Sequence, residues 1–438
     1  MGLLQNNKHK KQVINKDIRL DFTSFILLLY IVTMPFISAF AFTGTISLPL
    51  IFAVLLFIQM GFSILLSGKL PEGFIGFDLL IIALLLFLAA FSFVVNGWGN
   101  SKSLNHTIAY ASTFILFYIA IKFTFFNTAD KQWLLKKVLQ FITYTSIISA
   151  VYANIEFISS NLFNLNLNEY IPRPSEDEKF YEASVVGFIY RARGFAPESG
   201  HFTFMMELIS PLAVYYMYFS SLCLWRGFIK TGVLLIIFFS FIFAASTASF
   251  IIVPVAVLAA VLLYADKVLS YLSVNWRKFL ILSAIASFIL LVFNYLFSFY
   301  ALLLLSLSDK VDSGSFDDRQ ARIDFFDDKY FKLDFIKQLS GVGPAGFNIL
   351  GFDETKSILS LYYSIPFELG ILGLLLVILL FLYFIVCTLK IRTKLGFFLM
   401  VSIVCGVIHY YFIANFWYPW FWFIAAFAVF CGKMRIFK

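Results

Sequence analysis

The chain has 438 residues, 61% of them hydrophobic and only 13% charged, with a mean hydropathy of +0.89. A water-soluble domain carries roughly 25% charged residues, so too little polar surface is present to cover a soluble globule. The net charge of +8 forms no nucleic-acid stripe, because the basic residues lie between apolar runs, as membrane topology requires.

A helix needs about 20 apolar residues to cross the bilayer core. Runs near that length occupy 21–42, 46–67, 77–96, 104–126, 134–158, 201–224, 228–245, 247–264, 278–300, 361–388, 394–412 and 414–432. The expected fold is therefore an all-α integral membrane protein of about twelve transmembrane helices. The first run follows a basic segment (Lys8, Lys10, Lys11, Lys16, Arg19) and lacks a clear small-residue cleavage site. It reads as a retained span and not as a cleaved signal peptide. The seventh and eighth runs are separated only by Ala245-Ser246-Thr247-Ala248-Ser249. Counting them as two puts nearly all Lys and Arg outside the long loops on one side, leaving Lys102 alone on the other. Merging them inverts everything downstream and breaks the positive-inside pattern. Both termini are thus expected in the cytoplasm. The chain divides into a cytoplasmic segment with five spans (1–158), a first long outer loop (159–200), four spans (201–300), a second long outer loop (301–360), and three spans with the C-terminus (361–438).

Long loops between compact elements are functional or disordered, and the aromatics and charges of these two favour order. The first contains Arg173 and then Arg191-Ala192-Arg193-Gly194-Phe195-Ala196-Pro197-Glu198-Ser199-Gly200-His201. Its glycines and proline break regular structure just before the sixth span, gathering Arg191, Arg193, Glu198 and His201 at the mouth of that helix. One reading is a set of solvated charges anchoring the helix end; the other is a site. Glu207 lies deeper in the span, where a carboxylate is costly and needs a cavity or a partner. Phe163, Tyr170, Phe180, Tyr181 and Tyr190 offer stacking faces.

The second loop contains an amphipathic segment. Ile323, Phe326, Tyr330, Leu333 and Ile336 recur at three- and four-residue steps as one stripe. Arg319 stands four before Ile323 and Arg322 four before Phe326, so both arginines begin the apolar stripe. The expectation is an interfacial helix whose guanidinium forks suit phosphate and diphosphate. Pairing with Asp317, Asp318 or Asp324 is the competing reading. Gly341-Val342-Gly343-Pro344-Ala345-Gly346-Phe347 follows; no strand precedes it, so a helix cap and turn is expected in place of a dinucleotide site. The tenth span opens with Phe367-Glu368-Leu369-Gly370-Ile371-Leu372-Gly373, whose glycines permit close helix packing. His106, His201 and His409 all fall near outer span ends, each also readable as an interfacial hydrogen-bonded residue. No cysteine lies in a long loop and no pair has metal-ligand spacing, so neither disulfide nor metal is expected.

Three passages together resemble the O-antigen ligase/polymerase superfamily of bacterial envelope enzymes. They are Arg193-Gly194-Phe195-Ala196-Pro197-Glu198-Ser199-Gly200, similar to the family's turn before a span although Pro here precedes Glu; Ser246-Thr247-Ala248-Ser249; and Ser313-Gly314 with Arg319, Arg322, the amphipathic helix, the 341–347 turn and the 367–373 block. The likeness covers about 190–375. It implies transfer of a glycan from undecaprenyl pyrophosphate to an acceptor hydroxyl at the outer face of the bacterial cytoplasmic membrane, without metal or cofactor. Fixed arginines would stabilise the leaving group, here Arg191, Arg193, Arg319 and Arg322. A base would take the hydroxyl proton, with Glu198 the first candidate and His201 and His409 the alternatives. Arg173, Glu207, Glu368 and His106 are further cavity candidates. Ligases of this family, as the resemblance has it, carry a histidine shortly before the tenth-span block; here 356–363 has none. A polymerase joining lipid-linked repeat units is the expected member, with a ligase or a lipid-linked oligosaccharide flippase as alternatives. The implied partners are undecaprenyl-pyrophosphate-linked oligosaccharides, membrane lipid, a chain-length regulator and a flippase.

Overall fold

The computed structural model describes residues 21–42, 46–173, 185–186, 189–265, 315–351 and 360–434, with side chains on the loop-two helix described from residue 320. In chain order its helices are α1 Phe22–Thr33, α2 Leu48–Ser67, α3 Phe77–Gly97, α4 Ser101–Asn127, α5 Lys131–Phe163, α6 Ser199–Phe219, α7 Gly227–Ala244, α8 Thr247–Leu263, α9 Ser315–Tyr330, α10 Phe335–Ser340, α11 Gly346–Ile349, α12 Leu361–Lys390, α13 Lys394–His409 and α14 Pro419–Lys433. Seven of them, α2 to α7 and α12, are long and apolar enough to cross a membrane, and α1, α8, α13 and α14 are shorter apolar helices. The chain is an all-helical, multi-pass membrane protein; the one ladder described is the two-residue pair Val185–Val186 and Ile189–Tyr190. The apolar run 278–300 lies outside the described residues.

Packing sorts the helices into an inner and an outer set. Every residue of α14 from Pro419 to Cys431 is buried, as is nearly all of α6 from Ser199 to Ala213. A helix apolar on all sides belongs inside a bundle. On the periphery Phe62, Leu65, Leu66, Phe87 and Leu262 are exposed. In water such a surface would aggregate; facing hydrocarbon it is the expected exterior. All four cysteines are free and buried.

Two apolar runs fold differently from their hydropathy. The first, 21–42, is helical only to Thr33. Pro35 has no N–H to continue the ladder, and the following residues turn back, with Phe40 N donating to Pro172 O at 2.8 Å. The last run begins its helix at Pro419, so 414–418 is a turn. The seventh and eighth runs are two helices: α7 ends at Ala245 in the left-handed region, φ 43°. The carbonyl of Phe243 there accepts from Ala192 N of loop one at 2.9 Å.

Helix ends gather at two faces. One, the loop face, receives both loop turns. At the opposite face Asp78 at the start of α3 accepts hydrogen bonds from Tyr118 Oη at 2.6 Å and from Lys122 Nζ, both in the second half of α4. Lys433 at the end of α14 donates to the carbonyls of Gly73 and Ile75. Tyr264 beyond α8 donates to Thr388 O near the end of α12. Lys122 is wholly buried and paired with Asp78. Removing one member of a buried pair strands the other charge and costs about 3–5 kcal/mol, whereas replacing both with apolar groups can be neutral. Lys122→Met should therefore sharply lower the melting temperature in detergent, and the Lys122→Met/Asp78→Leu double variant should recover most of it. A double variant no better than the single one would reject the pairing account.

Candidate functional site

Loop one enters α6 through a braced turn. Gly194 adopts φ 58°, and a Cβ there would lie 2.6 Å from the Phe202 ring, so glycine is required. The backbone N–H groups of Arg193 and Gly194 donate to Glu156 Oε2 of α5 at 3.1 and 2.7 Å, while Asn168 Nδ2 donates to Oε1 at 2.7 Å. Arg173 closes the turn from the other side. Its Nη1 donates to Ala196 O at 2.6 Å and to Ser38 Oγ at 3.3 Å, and its Nη2 to Gly194 O at 2.7 Å and Asn168 Oδ1 at 3.1 Å. This guanidinium is shared between two backbone carbonyls and two side-chain oxygens, which makes Arg173 a brace. Arg193 is buried, with Nη1 on Pro197 O at 3.0 Å. Burial lowers the Arg191 pKa from its ordinary value, and the charge of Glu198 opposes that shift. Glu198 is the half-buried N-cap residue of α6. Among the described residues its carboxylate has no hydrogen-bonding partner; it lies within electrostatic reach of Arg191 and His201.

Two of the span histidines, His201 and His106, pack on the 414–418 turn, and His409 ends α13 just ahead of it. His201 Nε2 lies 3.3 Å from Asn415 Nδ2, and its ring packs edge-on against Tyr418 at 4.9 Å. Its Nδ1 is buried without a described partner. His409 Nδ1 lies 2.7 Å from Glu207 Oε2, with both side chains sealed from solvent. Glu207, expected to need a partner, finds it 202 positions away on α13. Next along the turn, Trp417 packs edge-on against His106, and Phe416 stacks on Tyr110 at 4.2 Å.

Loop two clasps the start of α12. The helix breaks at Gly370 (φ 69°, ψ −174°), and a Cβ there would lie 2.1 Å from Leu339 O. Reciprocally, a Cβ on Gly341 would lie 2.2 Å from Glu368 O. Val342 N donates to Phe367 O at 2.7 Å, and Asn96 Nδ2, in the π-helical end of α3, donates to Gly341 O at 3.1 Å. The turn expected as a simple cap is thus the socket for the break in α12. Beneath it Glu368 accepts from Tyr110 Oη at 2.7 Å and Ser364 Oγ at 3.0 Å, and its Oε1 lies 3.3 Å from His106 Nδ1.

The stripe of loop two is shorter than its periodicity predicts. Its helix α9 stops at Tyr330, and Asp334 caps the separate helix α10, accepting from Lys337 N at 3.0 Å. Phe326 and Tyr330 are buried against Phe367, Val342 and Phe347, Leu333 packs at their edge, and Ile336 is exposed. A local cap ended the helix where the apolar spacing alone would have continued it. Arg322 lies on the buried face with Phe326, as its position four residues earlier predicts. The Arg319 side chain lies outside the described residues.

Glu156, Tyr110 and the Asn415–Tyr418 turn were not among the sequence candidates. The signal for Glu156 was present: it is a carboxylate inside an apolar run, as Glu207 is. Tyr110 and Asn415 carry no such mark, since neutral polar residues near span ends are ordinary. The assembled groups, carboxylates beside imidazoles with arginines close by, can exchange protons and hold an anion. No protein-family model matches the chain and no curated protein matches it in sequence, so the resemblance to the O-antigen ligase/polymerase superfamily rests on its motifs alone.

Proposed function

We propose that this protein is a membrane-embedded glycosyltransferase that joins polyprenyl-diphosphate-linked oligosaccharide repeat units at the outer face of the bacterial cytoplasmic membrane, a polymerase of O-antigen or capsule type. The observation that carries the reading is convergence at one face. The arginine-bearing turn of loop one, the Arg322 helix of loop two and three histidines with two carboxylates all dock at the same end of an apolar bundle. A lipid-linked diphosphate enters laterally from hydrocarbon and presents its charge at that depth, where arginine forks suit it. Phe163 and Tyr170 remain exposed nearby for stacking on sugars. In this reading the chain crosses twelve times with both termini cytoplasmic. Two described positions fit that reading: Tyr264 beyond α8 lies at the face opposite the loops, and Phe326 packs at the loop face.

The test is complementation of a deletion strain. Loss of a polymerase leaves surface glycan of one repeat unit per acceptor. Long polymer accumulating on the lipid carrier would identify a ligase, and repeat units retained on the inner leaflet a flippase. Arg322→Lys keeps charge but loses the bidentate fork, so it should restore polymer poorly at normal protein level. Full polymer from both Arg322→Ala and Arg322→Lys would remove that residue from the site.

A further inference from the structure

The three histidines of the loop face differ in what their ring nitrogens can reach. His409 is sealed at 1% exposure with Nδ1 on Glu207. His201 has Nε2 against Asn415 and Nδ1 buried. The His106 side chain is 18% exposed, and its Nδ1 faces Glu368, itself only 1% exposed. In the tautomer whose Nδ1 donates to the Glu368 carboxylate, Nε2 is left with its lone pair. Nε2 has no hydrogen-bonding partner among the described residues. Glu368 is itself held by hydrogen bonds: Tyr110 Oη and Ser364 Oγ donate to its carboxylate, and its own carbonyl accepts from Ser92 Oγ at 3.1 Å. Edge-on packing by Phe347 and Trp417 holds the imidazole plane. Phe347 belongs to the aromatic cluster that seats the helix carrying Arg322, and Trp417 adjoins Tyr418, which packs on His201. His106 therefore stands between the two loop segments that bear the arginines.

We infer that His106 is the catalytic base of the proposed glycosyl transfer, with Glu368 as the positioning residue that orients it; this rests on the reading given above. The acceptor hydroxyl oxygen bonds to the anomeric carbon of the donor. The bond from that carbon to the diphosphate oxygen breaks, and its electron pair leaves with the diphosphate. The hydroxyl proton passes to His106 Nε2 and from there to water. Glu198, lying beside Arg191, then belongs to the donor side of the site.

The assay uses the full-length protein in proteoliposomes with lipid-linked repeat units extracted from the deletion strain, read as polymer length and rate. General-base catalysis contributes about 10²–10⁴-fold. His106→Gln keeps an amide to donate to Glu368 and removes the base, so kcat should fall at least about 100-fold with KM little changed. His106→Ala should be equally poor and should regain activity with added imidazole, a rescue that a purely structural role would not show. Glu368→Asp should retain more kcat than Glu368→Ala. Activity in His106→Gln within tenfold of the parent overturns the inference, as does His106→Ala that imidazole fails to rescue. If the parent protein itself makes no polymer from these units, and the deletion strain still does, the functional reading falls instead.

Discussion

Gly370→Ala should abolish polymer formation and leave little folded protein. Its backbone, φ 69° and ψ −174°, lies in a region open essentially to glycine, and a side chain held there costs about 1–3 kcal/mol from strain alone. The added methyl would also sit 2.1 Å from Leu339 O and 2.5 Å from Ser340 N, which are backbone atoms that no rotamer change can move aside. The loop-two turn would have to leave its socket. That motion would pull Val342 N from Phe367 O and disturb the carbonyl and carboxylate of Glu368. Gly341→Ala attacks the same contact from the other side, at 2.2 Å from Glu368 O, and should behave alike. Gly61→Ala on α2 meets nothing within 4 Å and should be neutral or slightly stabilising. The measurement is the melting temperature of detergent-purified protein together with the surface glycan ladder. A Gly370→Ala protein that melts like the parent would show that the break in α12 is not needed.

Glu156→Ala should release the loop-one turn. The carboxylate accepts from two backbone N–H groups and one side-chain amide, and Arg173 and Arg193 lie within its electrostatic reach. Leaving a buried donor unsatisfied costs about 1–3 kcal/mol, more near charges, so the loss should exceed about 3 kcal/mol. Glu156→Gln keeps one carbonyl oxygen but turns an NH₂ toward donors, and should recover only part of the loss. Asn168→Ala removes a single partner and should be the mildest of the three. Protease sensitivity at 190–198 reads the opening directly, and the glycan ladder reads its consequence. Parent-like resistance in Glu156→Ala would mean that Arg173 alone holds the turn.

Among the described residues, run length and charge placement alone mark the apolar helices and the break between α7 and α8. Apolar run length and charge placement are local, and lipid leaves a buried backbone few alternatives to the helix. The loop-one turn was legible for the same reason, since Gly194 and Pro197 act on the residues beside them. The burial of Arg322 with Phe326 followed from a spacing of four. Helix ends were less legible: Pro35, Asp334 and Pro419 each cut short an apolar pattern through a cap or a missing N–H. Only the tertiary structure decided the partnerships. Glu156 meets Gly194 from 38 positions away, Glu207 meets His409 across 202, and His106 meets Glu368 across 262. Nothing in a run of apolar residues states which neighbours its polar residues will meet, because that depends on which helix ends share a face once the bundle has packed. The two glycine motifs show the same division. Each reads locally as a turn or a close approach; that they fit into one another, Gly341 on Glu368 and Gly370 on Leu339, is a property of packing.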